Sequence, residues 1–148
     1  MSQQNVQAAR GLYDAFNRGD LAAFEQGCSR EFAWNEADHS TYAADNPYRN
    51  FRQVKEGVFE PTMRDYDGFR CDLERLIDGG EHVIGSGRYS GRNRATGKTL
   101  SAQFCHVIHF DSGAKLDRIQ EYTDTLAEAE AEGRAELFPE MRIPNPVM

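Results

Sequence analysis

A chain of 148 residues, 39% hydrophobic and 28% charged, fits one domain large enough to bury a core. Its net charge of −7 argues against a nucleic-acid groove, which needs clustered Lys and Arg to displace counterions. The basic residues Arg88, Arg92, Arg94 and Lys98 read instead as a solvated loop. No apolar run nears the roughly 20 residues that cross a bilayer, and the first residues lack the charged and apolar regions of a signal peptide. Cys28, Cys71 and Cys105 are scattered without a CxxC pair, which predicts neither a disulfide framework nor a zinc knuckle. The expectation is a cytoplasmic protein without membrane or nucleic-acid partners.

Val6, Ala9, Tyr13 and Phe16 recur at helical spacing and predict an amphipathic first helix. Gly19 can stop it and Asp20 can cap a short second helix that ends near Gly27. Phe32, Trp34 and Glu36 then alternate with Ala33 and Asn35, the period of a strand. One face thus carries two large aromatics and a carboxylate. Such a glutamate is partly desolvated, which raises its pKa and suits it to accept a proton near neutrality. Residues 37–49 are polar and aperiodic, a long loop holding His39. Asn50 and Gln53 resemble a capping box before the apolar face Phe51, Val54, Val58. Pro61 is expected to end or restart that helix.

Four strands follow, with turns at Asp78-Gly79-Gly80, at 93–98 and at Asp111-Ser112-Gly113. Phe69, Cys71 and Leu73 share a face of the first. Val83, Gly85, Gly87 and Tyr89 share a face of the second, with Ile84 and Arg88 on the other; Gly85 and Gly87 suggest sheet curvature. Phe104, His106 and Ile108 oppose Cys105, Val107 and His109 on the third. Ile119 and Glu121 oppose Tyr122 and Asp124 on the fourth. The Ala- and Glu-rich segment after Asp124 predicts a helix, and IPNPVM an extended tail. The organisation is one domain over 1–148, with 133–148 as a C-terminal extension.

Two helices joined by NRGD, a short strand, a long loop, a helix and a four-strand meander make an α+β fold, a conical barrel of a curved, mostly antiparallel sheet closed by N-terminal helices. With LYDAFNRGDLAAFE, WNEAD, GRYSG and FCHVIHFDSGAKLDRIQEYTDT, this order resembles the nuclear-transport-factor-2-like superfamily, and within it the SnoaL-like and ketosteroid-isomerase-like proteins. The resemblance places Glu36 where the isomerases keep the aspartate that shuttles a proton, and His106 where they keep a protonated aspartate facing the enolate oxygen. Their oxyanion tyrosine falls at Leu12. Tyr13 lies one residue on, about 100° around the helix, which speaks against steroid isomerisation itself. Limonene-epoxide-hydrolase-like proteins carry a water-activating acid at the position of Glu121, and SnoaL-like cyclases carry an acid matching Glu121 or Asp124. Arg88 is a candidate for the hydrolase's arginine.

The resemblance therefore implies cofactor-independent acid–base chemistry on a small hydrophobic carbonyl or cyclic compound: isomerisation, cyclisation, dehydration or epoxide opening. The candidate catalytic residues are Glu36, His106, Glu121 and Asp124. An imidazole, with an ordinary pKa of about 6.5, suits donation to an oxyanion or return of a proton. Tyr13, Trp34, Phe59, Arg88, Tyr89, Phe104 and Tyr122 are the candidate substrate-binding residues. The alternative is a non-catalytic ligand-binding or assembly module of the same fold, since fold does not dictate function. No metal is expected, because His106 and His109 face opposite sides of one strand and, with His82, lack ligand spacing. A homodimer through the outer sheet face, around Ile84, Val107 and His109, is the expected assembly.

Overall fold

Helix α1 spans Ser2–Asn17; of the stripe read from the sequence, Ala9 and Tyr13 are buried and Val6 and Phe16 half-buried, and Leu12 and Ala15 beside it are buried too. Gly19, at φ 73°, ends it: its N–H bonds the Phe16 carbonyl at 3.0 Å and that of Asp20 bonds Ala15 at 2.9 Å, a Schellman closure. The Asp20 side chain then accepts from Ala23 N and starts α2, Leu21–Gln26. A computed structural model describes residues 2–134 of the chain.

Strand β1, Cys28–Asn35, follows. Helix α3, Phe51–Val54, starts at an Asn50 cap: Asn50 accepts from Gln53 N while Gln53 accepts from Arg49 N. It passes into a π-helical turn at Lys55–Phe59 and on to α4, Glu60–Asp65. Of the two outcomes expected at Pro61, it is the restart that occurs, with the proline in the first turn of α4. The wide turn, in which Glu60 N bonds Lys55 O, accommodates a ring that would clash with the regular ladder.

The meander is β2 (Tyr66–Gly79), β3 (His82–Asn93), β4 (Thr99–Phe110) and β5 (Leu116–Thr123). The strands stand in the order β1-β5-β4-β3-β2, all antiparallel except β1 beside β5. The sheet is curved and open rather than closed on itself. The loop after β1 is less free than its composition suggests. Trp34 and Tyr48 exchange backbone hydrogen bonds at 2.9 Å, Phe32 N bonds Arg49 O, and Tyr42 and Tyr48 are buried. That segment covers the β1 edge, which would otherwise leave its backbone groups unpaired.

Both ends of α1 are tied to the concave side of the sheet. Asn5 Nδ2 bonds Gly80 O at 3.0 Å, and the Asn17 amide takes both backbone groups of Cys71, at 2.7 and 2.9 Å. These ties fix the rotation of α1 and so the aim of Tyr13. Helix α5, Thr125–Ala131, is capped by Asp124, whose side chain accepts from Ala127 N. After it, Arg134 pairs with Glu132 at 2.8 Å and with Glu128 at 3.6 Å. The expected extension beyond 134, with its IPNPVM tail, lies outside the described residues.

The glycines of β3 answer close approaches. A Cβ at Gly85 would stand 2.1 Å from the Tyr13 hydroxyl, and one at Gly87 would stand 2.0 Å from the Asp72 carbonyl and 2.9 Å from the Phe104 ring. β2 breaks register opposite this stretch, between Leu73 and Arg75, as a bulge does where a sheet bends. Gly87→Ala is expected to cost about 1–3 kcal/mol by overpacking, because a strand carbonyl cannot swing aside. Urea denaturation would show a lower midpoint; an unchanged midpoint would contradict this origin of the curvature.

Candidate functional site

Between α1, the α3–α4 segment, α5 and the concave sheet lies a cavity with about 90 Å³ open to the centres of water-sized molecules, room for several waters. Its walls are mainly apolar. Phe24, Trp34 and Phe59 form one aromatic corner, with Phe59 meeting the other two edge-on at ring separations of 5.0 and 5.5 Å, a geometry that fixes ring orientation beyond simple burial.

Into this cavity the sheet register brings acid–base groups from adjacent strands. Gly85 pairs His106 and His106 pairs Glu121. The parallel pairing of Trp34 with Ile119 and Asn35 with Gln120 sets Glu36 next to Glu121. The result is a continuous hydrogen-bonded chain. The Tyr13 hydroxyl lies 2.7 Å from His106 Nδ1, and the Tyr89 hydroxyl 2.6 Å from Nε2. Tyr89 donates to Glu121 Oε1. Because that proton is committed to the carboxylate, the Tyr89 oxygen accepts from His106, which places a proton on Nε2. Nδ1 then accepts from Tyr13 in the neutral ring or donates to it in the imidazolium. Glu121 Oε2 receives Ala37 N at 3.4 Å. Glu36 is held at its backbone by the Asn46 amide, at 2.8 and 3.0 Å, and at Oε2 by Trp34 Nε1 at 2.8 Å.

The two carboxyl groups are driven apart electrostatically. Burial, and next the charge of Glu121, hold the Glu36 pKa well above 4.5. Burial acts on Glu121 in the same sense, but a hydrogen bond and charge from His106, with the Tyr89 hydroxyl and Glu36, outweigh it and keep Glu121 below 4.5. Near neutrality Glu36 is the protonated member and Glu121 the carboxylate, joined by a carboxyl–carboxylate hydrogen bond. The expected role of Glu36 as the resting proton acceptor passes to Glu121; Glu36 is the resting donor.

Tyr13, Trp34, Glu36, Phe59, Tyr89, His106 and Glu121 all line the cavity. Tyr13 and Leu12 both reach it, so the one-residue offset does not exclude the tyrosine. Phe104 stands behind the wall, stacked on His106 and Tyr89 with ring centroids 4.6 Å apart in each case. Phe104 thus supports the site rather than lining it as expected, and three further expectations are corrected. Asp124 caps α5 instead of facing the cavity. Arg88 is exposed and bonds Ser101 Oγ at 3.1 Å. Tyr122 is 58% exposed, since it alternates with Glu121 along β5 and faces away. His39, in the loop, is exposed at φ 71°.

Sequence reasoning missed Asn46, Tyr42, Tyr66 and Glu128, the last three of which line the cavity. Tyr66 has the opposite parity to Phe69 and Cys71, and a break in register between Asp67 and Arg70, at Gly68 with φ 64°, brings it to the same cavity; alternation alone could not have found it. Glu128 lies in a run of alternating Ala and Glu that singles out no member. Its carboxyl accepts from Ser40 Oγ and Thr41 N, and burial, with the Glu132 charge next, raises it to about 7. Among the described residues no His, Cys, Asp and Glu cluster forms a metal site, and no helix is long and apolar enough to cross a membrane.

The two carboxyls predict opposite pH effects on stability. Glu36 stays protonated in the folded chain at pH values where the unfolded chain ionises it, so it opposes folding increasingly as pH rises above 4.5. Glu36→Gln keeps the bond from Trp34 and removes that cost. The variant should match wild type at about pH 4 and gain on it toward neutrality. Glu121, with a lowered pKa, contributes stability above 4.5 that is lost as pH falls through its folded value, so Glu121→Gln should destabilise at neutral pH. Urea denaturation across a pH series tests both, and a Glu36→Gln curve parallel to wild type would contradict the assignment.

A family model of the SnoaL-like domain matches residues 9–122. An NTF2-like protein of Burkholderia thailandensis E264 is 34% identical, with a TM-score of 0.82 over 86% of this chain and 96% of its own. TerC, crystallised with polyporic acid, is 22% identical with a TM-score of 0.75, over 86% of this chain and 97% of that one. IdmH of Streptomyces antibioticus, a proposed polyketide cyclase, is 18% identical with a TM-score of 0.73, over 88% and 99%. A search of curated proteins finds no match. By its matched span and its fold, the chain belongs to the SnoaL-like domain family of the NTF2-like superfamily.

Proposed function

We propose that the protein is a cofactor-independent acid–base enzyme acting on a small, largely apolar carbonyl or cyclic compound. The observation that carries the reading is the buried pair Glu36 and Glu121, one protonated and one ionised, joined through Tyr89 and His106 to Tyr13 at an apolar cavity. A structural core has no need of two carboxyls and an imidazole in such a place; burying them costs free energy unless paired. TerC and IdmH, with their respective association with polyporic acid and polyketide cyclisation, support a cyclic substrate.

In this mechanism Glu121 removes a proton from carbon, or from a water molecule, at the cavity end of the chain. The Tyr13 hydroxyl, accepting from Nδ1 of the His106 imidazolium, gives its own proton as a hydrogen bond to the oxygen on which negative charge develops. Glu36 replaces the proton that Glu121 draws away, or delivers one to the product. The proton thus moves within a set of groups already hydrogen-bonded to each other, which avoids solvent rearrangement during the step. The same arrangement serves isomerisation, cyclisation, dehydration or epoxide opening, which differ in the bond made after the proton leaves.

Hydrogen–deuterium exchange at the α-carbon tests the reading without a known substrate. Cyclic enones and 1,3-dicarbonyl compounds in deuterium oxide should exchange faster with the wild-type protein. Glu121→Gln should slow that exchange by about 10²-fold or more, the usual contribution of a positioned general base. Binding of these compounds with no accelerated exchange would sink the enzyme reading in favour of a ligand-binding module.

A further inference from the structure

A second polar place on the cavity wall plays no part in this chemistry. Tyr66, at the start of β2, is 2% exposed and packs with Leu100, Ala102 and Ala131. Its ring lines the cavity, yet its hydroxyl is the one buried side-chain polar atom without a hydrogen-bond partner among the described residues. The neighbouring Asn93 has its carbonyl oxygen committed to Ala95 N, Thr96 N and Thr96 Oγ1. It therefore has no acceptor to offer the tyrosine proton. The Asn93 side chain eases the burial of the tyrosine oxygen from the donor side, but the O–H proton is left with no acceptor, and native structures keep few buried donors in that state.

Glu128 lies within electrostatic reach of Tyr66 and lines the same cavity. Its bonds to Ser40, Thr41 and Arg134 all fall on Oε1, so they make no use of Oε2. The two residues supply what a polar substituent needs, a phenolic O–H to donate and a carboxyl oxygen to accept. Burial raises the tyrosine to about 12 and keeps it a neutral donor.

We propose that Tyr66 and Glu128 form a second polar subsite, which binds a hydroxyl or carbonyl oxygen of an apolar ring compound whose reacting end lies at Tyr13, His106 and Glu121. The ligand class is a ring system oxygenated at two separated positions. This inference rests on the acid–base reading, from which the reacting end is taken.

Calorimetric titration with matched probes of two lengths tests it: 2-naphthol against 2,6-dihydroxynaphthalene, and 4-hydroxybiphenyl against 4,4′-dihydroxybiphenyl. The second hydroxyl should tighten wild-type binding about fivefold or more in at least one pair, the worth of one additional hydrogen bond. Tyr66→Phe should erase that gain and leave the monohydroxy affinity within about twofold, since the ring and its packing stay. Equal affinities within both pairs, a gain that survives Tyr66→Phe, or no binding of any probe would overturn the subsite. Glu121→Gln separates the two ideas. If it leaves α-proton exchange unchanged while the Tyr66-dependent gain persists, the acid–base reading falls and the second subsite stands as a binding feature.

Discussion

Two carboxyl groups are held out of water beside a single imidazole, and most of the interior is arranged around that fact. Two charges side by side in such a place are far more expensive than one, so Glu36 keeps its proton and Glu121 gives its own up. Every polar neighbour fits the division. Tyr89 and the Ala37 amide donate to Glu121. Trp34 donates to one oxygen of Glu36, and its other oxygen carries the proton toward Glu121. The aromatic corner of Phe24, Trp34 and Phe59 keeps water from the pair, and the hydrogen bonds and charge that His106 and Tyr89 bring to Glu121 alone are what separate the two affinities.

This cluster is a product of strand register more than of any one motif. His106 and Glu121 are cross-strand partners, and Gly85 stands across from His106 on the other side. The missing side chain at Gly85 leaves the space that the Tyr13 hydroxyl occupies, so a glycine on β3 and a tyrosine on α1 complete the chain together. The clamps at Asn5 and Asn17 fix the helix that carries the tyrosine. The parallel β1–β5 pairing does the same for Glu36. A shift of one residue in either pairing would turn a carboxyl to the outer face and dismantle the site.

Period-two alternation made a good part of this readable from residues alone. Phe32, Trp34 and Glu36, then Phe104, His106 and Ile108, then Ile119 and Glu121 each occupy one face, and the strands behave accordingly. The same parity already put Arg88 opposite Tyr89 and Tyr122 opposite Glu121, and in the structure both face away from the cavity. Asp124 reads from the sequence only as a strand-end acid, although a helix is expected to begin right after it. The four orphan N–H groups of a new helix decided for the cap. What alternation cannot convey is the rotation of one element against another. Tyr13 depends on two asparagine ties 75 and 54 residues apart in sequence from their partners. Tyr66 and Glu128 reach one cavity only because α5 packs on the sheet, with Ala131 and Ala127 in the cluster around Tyr66, and a repeating Ala–Glu pattern carries no sign of which glutamate turns inward.

The most direct test of the central claim is the protonation state of the pair itself, followed by NMR titration of the protein labelled with carboxyl-¹³C glutamate, in wild type, Glu36→Gln and Glu121→Gln. Besides Glu128, which burial raises to about 7 and which neither substitution removes, the account predicts one buried glutamate still protonated at neutral pH. Its resonance should vanish in Glu36→Gln, and its titration should move toward the ordinary carboxylate range in Glu121→Gln as the neighbouring charge is removed. Two glutamates both ionised at neutral pH, titrating independently of one another, would contradict it and leave the cavity without its acid–base pair.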